Sequence, residues 1–285
     1  MTAIGVAYLG PVGTYTHQAA HQKFGPSAKY VGQDTVQDVF NALSPTIPFG
    51  VVPQENTIFG SVVETYDQLR HSNVGKGLFV VSEVTLGVQH CLLARKGVSL
   101  SEIKNVLSHE QALGQCQGFL SKHLPSARQM KTPSTAAAAE AIATSEEYAT
   151  SAAICSKICT TVFPELDVLE ESIQASNDNF TRFYVLGIDT DSTVLGNRAL
   201  IRMQHSDGAR TSNLFPPLSA LSSASLGVSR IDRRPSLCGG LFKDMLFVEV
   251  FQCEDGLKWA DEVEDAMQRV VKIGWETCLL GIWHR

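Results

Sequence analysis

Residues 4–25, IGVAYLGPVGTYTHQAAHQKFG, set the architecture. Ile4 to Leu9 is a short apolar run with the composition of a buried strand. Gly10-Pro11-Val12-Gly13 interrupts it with turn residues. Thr14 then stands where a helix N-cap belongs, since its hydroxyl can accept from an amide of the first turn. The helix it opens runs to Phe24 and is closed by Gly25. A strand that turns directly into a helix is half of a β-α-β unit. Repeated, such units build a mostly parallel sheet with helices on both faces.

The alternation continues. Thr35 caps a second helix whose Val36, Val39, Phe40 and Leu43 recur at i, i+3, i+4 and i+7. Phe49 to Pro53 reads as another buried strand, and Ser61 to Leu69 as a helix with Val62, Val63, Tyr66 and Leu69 inward. Leu78 to Val84 and Gln89 to Leu93 are strand-like. Ser108-His109-Glu110-Gln111 has the form of a capping box for a helix through Leu120, which must stop before Pro125. Thr132-Pro133-Ser134-Thr135 opens an alanine-rich helix to Ala143, with proline suited to the first turn. Ala152 to Cys155 and Phe180 to Ile188 are the last strands of this part. The span accommodates two α/β lobes with a cleft between them.

Asp189 to Asn197 is polar and reads as a linker. After it the pattern changes to strand (Ala199 to Met203), helix (Leu214 to Ala224), and strands (Gly227 to Arg233, Leu241 to Gln252). A helix with Trp259, Val263, Met267, Val270 and Val271 on one face follows and ends at Gly274. Thr277 to Trp283 is the final strand. That order, β-α-β-β-α-β, is ferredoxin-like. The expected division is residues 1–190 and 197–285.

A length of 285 residues favours two domains. Hydrophobic content of 44% and charged content of 18% are those of an ordinary globular chain. A net charge of -6 and the lack of any Lys/Arg run argue against a nucleic-acid partner. No basic residue precedes the first apolar run, so it is not read as a secretory signal. No apolar run approaches the roughly 18–20 residues that cross a bilayer, so no membrane partner is expected. The seven cysteines are scattered without a C-x-x-C pair. They read as reduced and partly buried, not as zinc ligands.

Four polar segments stand where strands end or begin, the place where open α/β sheets bind ligands. Gly10 to Thr14 could present amides to an anion, or could simply be a tight turn with a cap. It is not a phosphate-binding P-loop, because no Gly-Lys-Ser/Thr follows. Gln54-Glu55-Asn56-Thr57 could line a site or form a hydrogen-bonded turn. Gln111 belongs to the expected capping box. Asn179-Phe180-Thr181-Arg182-Phe183 sets a hydroxyl and a guanidinium between two phenylalanines. Arginine can hold a carboxylate by two hydrogen bonds, but the same residues suit an alternating strand with Arg182 paired at the surface. His17 and His21, at i, i+4, read as a solvated helix face, since no further metal ligands are in evidence.

Together these segments resemble the prephenate dehydratases. Gly10-Pro11-Val12-Gly13-Thr14-Tyr15 is similar to that family's opening motif. Val51-Val52-Pro53-Gln54-Glu55-Asn56-Thr57, with Gly60-Ser61-Val62, resembles its central stretch. Ser108-His109 with Gln111-Ala112-Leu113, Ser134 to Ala138, and Asn179 to Phe183 follow in the family's order. The resemblance covers residues 4 to 188, and five motifs in order are highly specific. Residues after 197 are similar to an ACT domain. Ser229 to Ser236 resembles the family's Glu-Ser-Arg-Pro segment with Asp232 and Arg233 in place of Glu and Ser. Ser212-Asn213-Leu214 stands in place of Gly-Ala-Leu, and Gln174 to Asp178 departs from the usual acidic, proline-containing run.

The resemblance implies a two-lobed, periplasmic-binding-protein-like α/β catalytic domain plus a ferredoxin-like ACT domain. It implies a cytoplasmic lyase that converts prephenate to phenylpyruvate in phenylalanine biosynthesis, with no cofactor and no metal. The catalytic set it implies is Thr181, Arg182 and Phe183, with Glu55 as a proton source if burial raises its pKa. Thr14, Asn56, Gln111, Ser134, Thr135 and Ala136 would bind substrate. Asn213, Leu214, Asp232, Arg234 and Pro235 would bind L-phenylalanine as effector, and ACT pairing implies a homodimer or homotetramer. Arogenate dehydratase and a non-catalytic small-acid-binding protein are the alternatives; phenylpyruvate formation separates them.

Overall fold

The computed structural model describes residues 3–188, 196–205, 213–222, 226–237, 243–253 and 259–284. The first lobe runs β1 (Gly5–Leu9), α1 (Tyr15–Phe24), β2 (Lys29–Gln33), α2 (Val36–Ala42), β3 (Phe49–Asn56), β4 (Gly60–Ser61), α3 (Val63–Leu69) and β5 (Leu78–Gly87). The second runs β6 (Cys91–Arg95), β7 (Asn105–Ser108), α4 (Glu110–Gln115), α5 (Gln117–His123), β8 (Arg128–Lys131), α6 (Thr135–Thr144), β9 (Ser151–Cys155), α7 (Cys159–Val162) and β10 (Leu166–Glu170). β11 (Phe180–Ile188) then returns to the first lobe and inserts between β3 and β5.

The chain therefore crosses between lobes twice, and the crossings are joined. The Val88 amide donates to the Asn179 carbonyl at 2.8 Å, and the Ile173 amide to the His90 carbonyl at 3.0 Å.

The expected helix starts hold at Thr14 and Thr35, each accepting from an amide three residues on, whereas the alanine-rich helix, expected to carry Pro133 in its first turn, starts after Ser134, which caps it. The expected mostly parallel sheets are instead mixed. In the first, β1 pairs parallel with β2 and β3, while β11 runs antiparallel to β3 and β5. In the second, β7 is parallel to β8 and β9, and β6 is antiparallel to β9 and β10. The return of β11 through a second lobe reverses its direction, which local periodicity does not record. Strands β2, β4, β7, β8 and β10 are not among those expected; β2 and β8 carry little apolar sequence.

Ser108 is not a helix cap. It ends β7, buried, and donates to the Ile154 carbonyl at 2.5 Å. His109 is the N-cap instead, and the helix breaks at Cys116 into α4 and α5. Val63 and Val271 are exposed, where an inward face was expected.

The remaining elements are β12 (Arg198–His205), α8 (Phe215–Leu221), β13 (Leu226–Pro235), β14 (Asp244–Gln252), α9 (Trp259–Lys272) and β15 (Trp275–Trp283). Their sheet has the order β13-β14-β12-β15, as a ferredoxin-like unit requires. Of the expected linker, residues 189–195 lie outside the described residues.

The first-lobe sheet is covered on both faces, α2 and α3 sharing one of them with the C-terminal sheet. The first-lobe sheet packs Val6, Tyr8, Val51, Phe183 and Val185 against α1. Its other face, with Val52, Tyr184 and Leu186, shares a core with Leu200, Phe247, Leu280 and Trp283 of the C-terminal sheet. The opposite face of the C-terminal sheet is covered by α8 and α9.

At Gly281 the C-terminal sheet meets the first so closely that a Cβ would collide with the Val80 carbonyl oxygen. Gly281→Ala is expected to cost about 1–3 kcal/mol, as overpacking does. Thermal denaturation should show Tm falling by several degrees, while Gly118→Ala, in open space on α5, leaves it unchanged or higher.

Candidate active site

The two lobes enclose a cleft of about 370 Å³, within the range of small-ligand sites. Its first-lobe wall is Tyr15, Asn56, Phe59, Val88, Asn179 and Thr181; its second-lobe wall includes His109, Gln111, Gln115, Ser134 and Thr135. Each wall is made by chain ends: strand termini on one side, helix N-termini on the other.

Asn56 and Thr181 are cross-strand partners at the ends of β3 and β11. Asn56 Oδ1 accepts from the Ile58 amide at 2.9 Å and the Phe59 amide at 3.1 Å. Those two donors fix which way the side-chain amide points. Its nitrogen must then face Thr181 Oγ1, at 3.0 Å, and Asn179 Oδ1, at 2.7 Å. Because Thr181 Oγ1 accepts this bond, its own proton is free to be donated into the cleft.

A β-bulge puts Asn56 there. Arg182 pairs with Glu55 but Phe183 with Pro53, so Gln54 is the extra residue on β3. In an unbroken strand Glu55 would share a face with Pro53 and point toward the cleft. The extra residue inverts that, aiming Asn56 at the cleft and Glu55 away from it.

Glu55 and Arg182, expected at the cleft, are therefore on the reverse face of the sheet. There they pair with each other at 2.6 Å, and Glu55 also pairs with Arg230 of β13. Strand alternation is the cause: Thr181 and Phe183 share one face of β11, Arg182 and Tyr184 the other. Phe183 is buried in the core beneath α1 and is not a cleft wall. No Asp or Glu is among the residues that line the cleft.

The second-lobe wall supplies positive potential instead. Ser134 caps α6, its hydroxyl accepting from the Ala137 amide at 3.0 Å. The amides of Thr135 and Ala136 are among those with no partner within the helix, and they head its dipole. Ser134 and Thr135 line the cleft; the Ala136 side chain is buried behind them. Gln111 lines the cleft from α4. Thr14 is occupied as the α1 cap, donating to the Leu9 carbonyl at 3.0 Å, and its neighbour Tyr15 reaches the cleft in its place.

Three contributors were not singled out from sequence. Tyr15 Oη lies 2.8 Å from His90 Nδ1, and His90 Nε2 lies 2.6 Å from Gln115 Oε1. Burial lowers the His90 pKa, opposed in part by the bond to Gln115, and raises that of Tyr15 well above its ordinary value. Both groups are neutral at pH 7. A tyrosine 75 residues from its histidine leaves no local signal in the chain. His17, expected on a solvated face, is buried. It stacks on Tyr8 with centroids 4.7 Å apart and accepts from the Gly13 amide at 3.2 Å, bracing the first turn.

The expected effector residues separate within one chain. Arg234 grips Asp67 of α3 at 2.7 and 3.1 Å. Asp232 accepts from Ser61 at 2.6 Å, and the Pro235 carbonyl accepts from Arg70 at 3.0 Å. These face the first lobe. Asn213, bonded to the Phe215 amide at 3.0 Å, and Leu214, at the start of α8, lie on the helical side of the sheet.

Residues 6–191 match the family model described as prephenate dehydratase. The chain is 35% identical over 276 residues to the bifunctional chorismate mutase/prephenate dehydratase of Aquifex aeolicus, covering 94% of this chain and 70% of that protein. It is 29% identical over 289 residues to the prephenate dehydratase of Bacillus subtilis, covering 98% of each. A solved prephenate dehydratase from Arthrobacter aurescens in complex with L-Phe superposes with a TM-score of 0.80 at 26% identity, covering 99% of this chain and 90% of that one.

Burial pushes the His17 pKa down from 6.5 to about 4. The unfolded chain therefore binds more protons between those values, and folding stability falls as pH drops from 6.5 toward 4. Denaturant titrations across that window should show a shallower loss for His17→Asn than for the parent protein.

Proposed function

The chain belongs to the prephenate dehydratase family, and on that premise we propose that its cleft converts prephenate to phenylpyruvate. The observation that carries this reading is the Asn56–Thr181 pair at the cleft, in which Thr181 Oγ1 accepts from Asn56 at 3.0 Å and so keeps its proton for a molecule bound there.

Prephenate is a dianion, and the composition of the cleft suits one. No carboxylate lines it, its histidine and tyrosine pair is neutral, and the N-terminus of α6 offers amides to the pyruvyl carboxylate. Gln111 would orient that end. With the pyruvyl group held there, the ring lies toward Thr181. The bond to the ring carboxylate then breaks, its electron pair enters the ring, and the C–O bond to the ring hydroxyl breaks at the far end. Products are CO2, an aromatic ring and hydroxide, which becomes water by taking a proton from solvent. Thr181 contributes as a placed donor to the departing oxygen; a threonine hydroxyl is too weak an acid to act by pKa. Aromatisation provides the driving force, so the step balances without an oxidant or reductant.

For the C-terminal domain we propose the ACT role, with L-phenylalanine as effector. Asn213 and Leu214 lie on the opposite side of the sheet from Asp232 and Arg234, so a site joining both sets requires two copies of the chain. That supports a homodimer or homotetramer. The unpaired thiols of Cys91, Cys116, Cys155 and Cys159, all buried, fit a reducing compartment such as the cytoplasm.

Thr181→Ala should lower kcat about a hundredfold or more, as loss of a transition-state donor does, with Thr181→Ser well above it. The measurement is phenylpyruvate absorbance, with prephenate and arogenate assayed in parallel. Near-normal turnover by a folded alanine variant would remove Thr181 from the mechanism. Calorimetry at millimolar L-phenylalanine tests the effector, and an absence of heat would discard it.

A further inference from the structure

We infer that Glu249, on β14 of the C-terminal domain, is a positioning residue for the reaction, acting on Thr181 through Arg182. The inference rests on Thr181 being the hydroxyl donor.

Glu249 is 1% exposed. A buried carboxylate is costly unless every lone pair is met, and this one has four donors. Arg182 and Arg198 each approach Oε1 at 3.0 Å, Ser229 Oγ approaches it at 3.2 Å, and Tyr184 Oη approaches Oε2 at 3.3 Å. Two of these donors are on β11, and two belong to the C-terminal sheet itself. The same sheet also docks through an apolar core that includes Phe247, Leu280 and Trp283.

What Glu249 adds is direction. The Arg182 guanidinium is a rigid planar fork. Its Nε donates to Gln54 Oε1 at 2.9 Å, Nη2 pairs with Glu55 at 2.6 Å, and Nη1 reaches Glu249 at 3.0 Å and, more weakly, Glu83 at 3.5 Å. Gln54 is the bulge residue, Glu55 precedes Asn56, and Arg182 follows Thr181. One guanidinium therefore braces, from the reverse face, both ends of the hydrogen bond that orients the Thr181 hydroxyl. With the Glu249 carboxylate gone, Nη1 keeps only the more distant Glu83, so the fork can turn toward it, the bulge loosens, and the donor loses its fixed aim. A misplacement of about 1 Å at a reacting centre can cost a hundredfold in rate.

The test is Glu249→Gln, which keeps the shape but turns an NH2 toward a set of donors. It is made in the parent and in the Thr181→Ala background, with kcat and KM measured for phenylpyruvate formation. The expected result is a fall in kcat of about tenfold or more in the parent, with KM little changed, and no further fall once Thr181 is already gone. An unchanged kcat overturns the inference. So does an equal loss in both backgrounds, which marks general softening, or a loss confined to KM. Circular dichroism checks folding. If Glu249→Gln does not fold, Glu249→Asp, which keeps the charge but shortens its reach, is carried through the same cycle under the same criteria. The single variant Thr181→Ala separates the two claims. If it turns over normally, the donor assignment falls and the relay with it; if it is crippled while Glu249→Gln is not, only the relay falls.

Discussion

β11 is hydrogen-bonded on both sides, to β3 and to β5, and packed on both faces. A strand so placed cannot slip by one residue without exchanging its two faces. One face then carries Thr181 to the cleft and Phe183 and Val185 to the core under α1. The other carries Arg182, Tyr184 and Leu186 to the C-terminal domain. The catalytic-lobe sheet, the cleft and the interdomain contact are three consequences of that single register. It is also why a threonine and an arginine adjacent in sequence end up serving opposite sides of a sheet.

The two sides are electrostatically opposite in kind. The cleft is free of carboxylates among its described lining residues and its His90–Tyr15 pair is neutral, so helix ends and amides contribute to its field. The reverse face gathers Arg182, Arg198 and Arg230 with Glu55, Glu83 and Glu249. Fixed dipoles suit a site that must hold an anionic molecule and then release a less charged one, since a full cation there would bind both strongly. Full charges suit an interface, where each can be met by a partner and their directional bonds set an angle between domains.

The interface is therefore built of two materials. The apolar core around Phe247, Leu280 and Trp283 supplies most of the burial, and burial of this type is non-directional. The ion network beside it is directional and reaches the bulge that orients Asn56. A displacement of the C-terminal sheet could leave the apolar contact largely intact and still disturb the polar one. In such a construction the contact that holds the domains together and the contact that lets one inform the other are different atoms.

Much of this was legible in the chain, and what was legible is local. Thr14 and Thr35 are legible as helix caps because a cap bonds an amide three residues away, and the ferredoxin-like order follows from hydrophobic period alone. Asn56, Thr181, Gln111, Ser134 and Thr135 were placed at one site through the resemblance of five motifs in order, and they line one cleft. Glu55, Arg182 and Phe183 belong to the same motifs, yet the fold turns the first two to the reverse face and buries the third. Which face a strand residue occupies depends on its partner strand and on a bulge at Gln54, and neither is written within the segment. The bond between Tyr15 and His90, the burial of His17 and the pairing of Glu249 with Arg182 join residues far apart in the chain. Residue spacing determines hydrogen bonds that close over three or four positions; those that close over a hundred exist only once the sheets have chosen their register.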